Sequence, residues 1–221
     1  MLTPRIAALT ERLRFSPGVF ILPLRSPFVT ALALATASRL SDGRVLLGVG
    51  SGWMREEFDS AGEDFDRRGG RFDESLDVIR GLLTGEEFEY HGEFFDFGPA
   101  SIGGPPVADL PTIFGGLSAA ALRRLARRGD GWFGPVCTLE QSRATAATLD
   151  NMRAEGPLAH RPLVHYPRLA GRATRQNLES YREGGFEHVV VSGGPLLSGL
   201  ESDGARGDII EALAAAAAEL P

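Results

Sequence analysis

Apolar positions along this chain alternate between short strand-like runs and longer stretches with a period near 3.6. Phe15 to Leu22 reads as a buried strand ended by Pro23, and Pro27 to Leu40 carries Ala and Leu at helical spacing, with a proline suited to a first helical turn. Ser41-Asp42-Gly43 stops that helix, and Arg44 to Val49 is the next strand. An irregular Asp/Gly/Arg-rich stretch precedes Phe72 to Leu83, where Leu76, Ile79, Leu82 and Leu83 mark one amphipathic helix. Phe88 to Tyr90 and Phe94 to Phe97 flank His91-Gly92-Glu93 in the pattern of a surface hairpin, followed by a Pro/Gly-rich loop from Pro99 to Leu110. Beyond it, Pro111 to Phe114, Gly131 to Phe133, Leu163 to Leu169 and Glu187 to Ser192 are strand-like. Helices are expected from a Ser118 cap to Arg128, from Leu139 to Arg153, from Thr174 to Arg182 and from Arg206 to Leu220. Such alternation calls for a parallel sheet with helices outside it. With no internal repeat and no dividing linker, residues 1–221 are expected to form one domain.

Two strand ends stand out. Val45, Leu46, Leu47 and Val49 form an apolar strand core that ends in Gly48, Gly50 and Gly52, followed by Trp53 and the acidic pair Glu56 and Glu57. Glycines there let a flat or phosphorylated ligand come against bare backbone, and the C-terminal end of a parallel strand is where such ligands sit; a tight turn built for steric reasons uses the same residues. Phe114-Gly-Gly-Leu-Ser118 places unhindered amides and a hydroxyl where a strand opens into a helix, an arrangement that receives an anion or serves as a plain N-capped turn.

Composition narrows the chemistry. At 221 residues, 43% hydrophobic and 24% charged, the chain is an ordinary globular protein with one sizeable core. A formal net charge of −6 argues against nucleic acid as a partner and favours a small molecule. All 23 basic residues are arginine, which excludes Schiff-base catalysis and the lysine-dependent phosphate loop. The single Cys137 cannot form an intramolecular disulfide and is given no catalytic role, and no leader or long apolar run is seen at the start. A cytoplasmic protein with no membrane segment is expected.

Leu40-Ser-Asp-Gly-Arg44, Gly48-Val-Gly-Ser-Gly-Trp53, Glu57-Phe58, Arg71-Phe-Asp-Glu74, Leu82-Leu-Thr-Gly85, His91-Gly-Glu-Phe94, Pro111-Thr-Ile-Phe-Gly-Gly116 and Gly129-Asp-Gly-Trp132 follow one another in this order. In that order and approximate spacing the chain resembles the bacterial luciferase-like monooxygenase superfamily, well over residues 10 to 135 and loosely beyond. The resemblance implies an α/β fold of the TIM-barrel-like (β/α)8 type that binds FMN or the deazaflavin coenzyme F420 at the C-terminal mouth. It places Gly48, Val49, Gly50 and Ser51 beside the cofactor ring and Gly115, Gly116, Leu117 and Ser118 around its phosphate, with Leu22 and Pro23 as further ring contacts.

The implied activity is that of an oxidoreductase using reduced F420 or flavin for hydride transfer or monooxygenation of a small organic substrate. The glycine motif with Glu57 downstream looks like the deazaflavin branch. An FMN-dependent monooxygenase served by a separate flavin reductase is the first alternative, and an inactive flavin-binding or interaction protein the second. About six strand–helix units are counted against the family's eight, so an N-terminally incomplete barrel is expected. An open barrel edge exposes unpaired backbone groups, so a partner, a rearrangement or a further upstream segment is expected to cover it, and a homo-oligomer is the expected partner.

Charged and aromatic candidates carry their ordinary readings beside these. Glu56 and Glu57 suit a cavity mouth or a solvated loop, with Glu57 the better functional candidate. Arg67, Arg68, Arg71, Asp73 and Glu74 read as structural pairing and capping at a helix start. His165 on a late strand reaches a pocket or packs, and Trp53 and Trp132 are pocket walls or core. No metal-ligand spacing and no Ser-His-Asp or Cys-His arrangement is present in the sequence.

Overall fold

The computed structural model describes residues 7, 10–107, 110–171 and 174–192; the expected closing helix at 206–220 lies outside them. The chain divides into two compact units, Met1–Gly115 and Gly116–Pro221.

In the first unit β1 (Phe20–Ile21) runs into a 3-10 turn (Leu22–Leu24), then α1 (Pro27–Leu40), β2 (Leu47–Gly50), α2 (Arg55–Ala61), α3 (Arg68–Leu82), β3 (Phe88–His91), β4 (Asp96–Ala100) and β5 (Thr112–Gly115). β2 pairs in parallel with β1 on one side, Phe20 opposite Val49 and Ile21 opposite Gly50, and with β5 on the other, Gly48 opposite Ile113 and Val49 opposite Phe114. The first strand is shorter than its apolar pattern, because upstream only Phe15 bridges to Val45. α1 starts where Ser26 caps Val29 N–H with Pro27 in the first turn, and it stops at Ser41, followed by Asp42 and Gly43 at positive φ.

α3 begins earlier than the apolar pattern and buries Phe72, Leu76, Val78, Ile79 and Leu82; Phe72 meets Phe114 of β5 edge-on at 5.5 Å between ring centroids. The stretch before it, read as irregular, holds α2, a short helix that buries only Phe58 and closes on Gly62 in the left-handed conformation. One apolar residue per two turns gives no periodic signal. β3 and β4 form the expected antiparallel hairpin, β3 starting at Phe88 as expected and ending one residue later, β4 starting two and ending three residues later than the sequence pattern, with His91 opposite Asp96. Glu74 of α3 anchors it by accepting backbone N–H groups of Glu93 and Phe94 at 2.8 Å and of Phe95 at 3.1 Å.

The second unit runs α4 (Ala119–Arg128), β6 (Gly131–Val136), α5 (Leu139–Ala154), β7 (Val164–Arg168) and α6 (Arg175–Glu183). β6 and β7 are parallel, with Trp132 opposite His165 and Phe133 opposite Tyr166. The expected strand at 187–192 is reduced to one bridge, Val190 to Arg168. Thr138 and Gln141 cap α5 reciprocally, and Trp132, Leu125 and Leu149 are fully buried. The buried Arg153 of α5 donates to the carbonyl of Gly129 and, at 3.5 Å, to that of Leu125, closing the C-terminal end of α4; burial lowers its pKa from the ordinary arginine value.

Candidate functional site

Successive strand residues face opposite sides of the sheet, so Val49 and Phe114 turn toward α3 while Gly48, Gly50 and Gly115 share the other face. That face is crowded. A Cβ on Gly48 would fall onto the Pro17 carbonyl oxygen and 2.7 Å from the Ser16 hydroxyl, and one on Gly50 would lie 2.8 Å from Val19 Cγ2. A Cβ on Gly115 would lie 3.2 Å from Val19 Cγ1. The 16–19 segment therefore lies directly on the glycine face, and the absence of side chains at 48, 50 and 115 admits it. Gly50 and Gly115 are brought together over one side chain, Val19; Ser51 continues the same strand end.

Beyond that contact a cavity of about 660 Å³ opens, lined by Val19, Ile21, Leu24, Arg25, Met54, Glu56, Glu57 and Ser60. Its volume falls within the usual span of ligand sites. Val19 and Ile21 belong to the strand-end segment around β1, Leu24 and Arg25 to the turn after it, and Met54, Glu56, Glu57 and Ser60 to α2 and its cap. Both acidic candidates thus line the cavity, whereas Gly48, Val49, Gly50 and Ser51 are not among its lining residues. Leu24, Arg25, Met54 and Ser60 were not singled out from the sequence; the glycine stop at Gly62, four residues after Phe58, is the one signal that marks α2. Arg25 lies over the Phe20 ring at 4.4 Å.

In the second unit, Gly116 has φ 120°, and Ser118 caps α4 by accepting the Ala121 N–H at 3.2 Å. Leu117, Ser118, Ala119 and Ala120 are exposed, and the first turn of α4 carries no acidic residue. An exposed positive helix end with no acidic side chain in its first turn suits an anion. Gly116 also accepts a hydrogen bond from the Trp132 indole N–H at 3.2 Å.

The remaining candidates separate cleanly. Trp132 is core, fully buried, while Trp53 is 78% exposed and does not line this cavity. His165 Nε2 sits 2.9 Å from Asp150 of α5, and His91 Nδ1 sits 2.6 Å from Asp96 in the hairpin. Cys137 contacts the Ser142 hydroxyl at 3.2 Å. Among the described residues no group of three His, Cys, Asp or Glu could hold a metal ion, and no helix is long and apolar enough to cross a membrane.

A family model described as luciferase-like monooxygenase matches residues 5–172. An uncharacterised protein of Mycobacterium tuberculosis is 42% identical over 132 residues, 60% of this chain and 46% of that protein. The FMNH2-dependent dimethylsulfone monooxygenase of Pseudomonas putida is 33% identical over 132 residues, 58% of this chain and 36% of that enzyme. The chain therefore matches about half or less of the length of these relatives. Among solved structures, the coenzyme F420 dependent tetrahydromethanopterin reductase of Methanopyrus kandleri superposes with a TM-score of 0.64 at 22% identity, covering 75% of this chain and 52% of that one.

Proposed function

The chain belongs to the luciferase-like monooxygenase family and has its TIM-barrel-like α/β fold, and from that premise we propose that it is an oxidoreductase using F420 or FMN on a small organic substrate. The observation that carries the reading is the family match over residues 5–172, which contains both glycine segments and every residue lining the cavity. Because the match runs through both compact units, we take 1–221 as one luciferase-like domain.

The residues present fit a phosphorylated ring cofactor. On this reading Gly48, Val49, Gly50 and Ser51 form the strand end that supports residues 16–19 and, through Val19, the cavity in which the ring would sit, and Gly115, Gly116, Leu117 and Ser118 would present backbone amides to the phosphate, the open first turn of α4 being the supporting feature. Val19, Ile21, Leu24 and Met54 give the cavity an apolar wall on which a flat ring could pack, and Arg25, Glu56, Glu57 and Ser60 supply the polar groups that orient a substrate. When bound, the cofactor supplies the redox chemistry, hydride transfer or oxygen activation.

An FMN-dependent monooxygenase fed by a flavin reductase is the second reading, favoured by the 33% identity to the FMNH2-dependent dimethylsulfone monooxygenase. Titrating the protein with each cofactor, with absorbance and fluorescence as readouts, separates the two. Saturable binding of F420 supports the first and of FMN the second, and binding of neither defeats both.

A further inference from the structure

We propose that Arg68 and Arg71 are positioning residues of the cavity, each hanging one of its two strand-end loops from α3 by a main-chain carbonyl. The inference rests on reading that cavity as the cofactor and substrate site. Arg71 Nε donates to the Pro23 carbonyl at 2.9 Å, its Nη2 pairs with Glu63 at 2.5 Å, and its guanidinium lies 4.9 Å from the Phe95 ring centroid. One side chain, 18% exposed, thereby ties the turn after β1, the link between α2 and α3, and the hairpin. Arg68 Nε donates to the Gly52 carbonyl at 3.3 Å and Nη1 to the Phe65 carbonyl at 2.6 Å, with its guanidinium 3.7 Å from the Phe65 ring centroid.

What these contacts hold is the cavity lining itself. Pro23 immediately precedes Leu24 and Arg25, and Gly52 stands two residues before Met54. Glu63 and Phe65 fix the far end of α2, the helix that carries Glu56, Glu57 and Ser60. Phe65 is further covered by Arg55, 4.5 Å from its centroid, and stands edge-on to Phe58 at 5.3 Å. Both tasks need a guanidinium, whose fixed fork donates in diverging directions while its face rests on an aromatic ring; an ammonium keeps the ion pair and loses the rest. The neighbouring pairs Arg67–Glu93 and Arg55–Asp66 are about half exposed on the arginine side and contribute little to order, which makes Arg67 a suitable control.

The test uses the full chain with Arg71→Gln, Arg71→Lys, Arg68→Gln and Arg67→Gln, read by backbone amide exchange and by titration with FMN and with F420. We expect exchange at residues 22–25 to rise roughly tenfold or more in both Arg71 variants, and at 52–57 in Arg68→Gln, as these segments open locally. The dissociation constant for the cofactor that binds should rise by a similar factor, while Arg67→Gln and the exchange of β5 stay unchanged. If Arg71→Gln fails to fold, Arg71→Lys, which retains the Glu63 pair, carries the measurement. Unchanged affinity in folded Arg68 and Arg71 variants of a chain that binds cofactor overturns this inference alone, as does unchanged exchange in both segments. A chain that binds neither FMN nor F420 overturns the site reading and this inference with it.

Discussion

The glycines ending β2 and the one that follows β5, Gly116, look alike in sequence, yet their surroundings differ. At Gly48 and Gly50 the space of a side chain is already taken, by the Pro17 carbonyl and by Val19. At Gly116, among the described residues, Ala121 Cβ is the atom a side chain would meet, at 3.2 Å, and the residues that follow are exposed at the start of a helix. The first group is small so that chain can pack on chain; the second is small so that the backbone can turn and show its amides. One signature therefore carries a packing cost in one place and an electrostatic opportunity in the other.

Substitutions sharpen that contrast. Gly48→Ala has the largest expected effect: its Cβ meets backbone rather than a movable side-chain tip, so a loss of about 3 kcal/mol is expected in urea denaturation. Normal stability with weakened cofactor binding would show instead that Gly48 serves a ligand. Gly50→Ala meets the stiff Val19 side chain and should cost about 2 kcal/mol; the double change with Val19→Ala should recover part of it, since the two share one space. Gly116→Ala places a side chain at φ 120° and should cost about 1–2 kcal/mol, with the larger loss in affinity for a phosphorylated cofactor. Ser118→Ala removes the α4 cap and should cost about 1 kcal/mol, while Ser118→Gly costs only a few tenths; thermal unfolding of the pair checks the ranking.

Much of this architecture was legible because local rules agreed with the tertiary result. α1 was expected at Pro27–Leu40 and is found there, since a capped proline start, an Ala/Leu interior and an Asp-Gly stop all coincide. The strand ends, at Gly50 and Gly115, fall within one residue of the expected Val49 and Phe114, and the Ser118 cap is found as expected, for the same reason. What escaped was nonlocal. α2 buries one side chain and owes its place to Phe58 beneath Gly52 and to Phe65 between two arginines, contacts no periodicity encodes. The arginines of the 67–71 run were read as structural pairing and capping at a helix start, whereas Arg68 and Arg71 bind carbonyls up to 48 residues away in sequence. Likewise the covering of Gly48 and Gly50 by residues 16–19 depends on a sheet register that spacing alone does not fix.

The most direct measurement is a paired equilibrium titration of the protein: FMN against riboflavin, and F420 against its phosphate-free deazaflavin. The account predicts saturable binding of one phosphorylated member, roughly tenfold or more tighter than its partner, with the difference reduced in Gly116→Ala, as expected for an anion held by helix-terminal amides. Equal affinity within each pair, or no saturable binding of either phosphorylated cofactor, would contradict it.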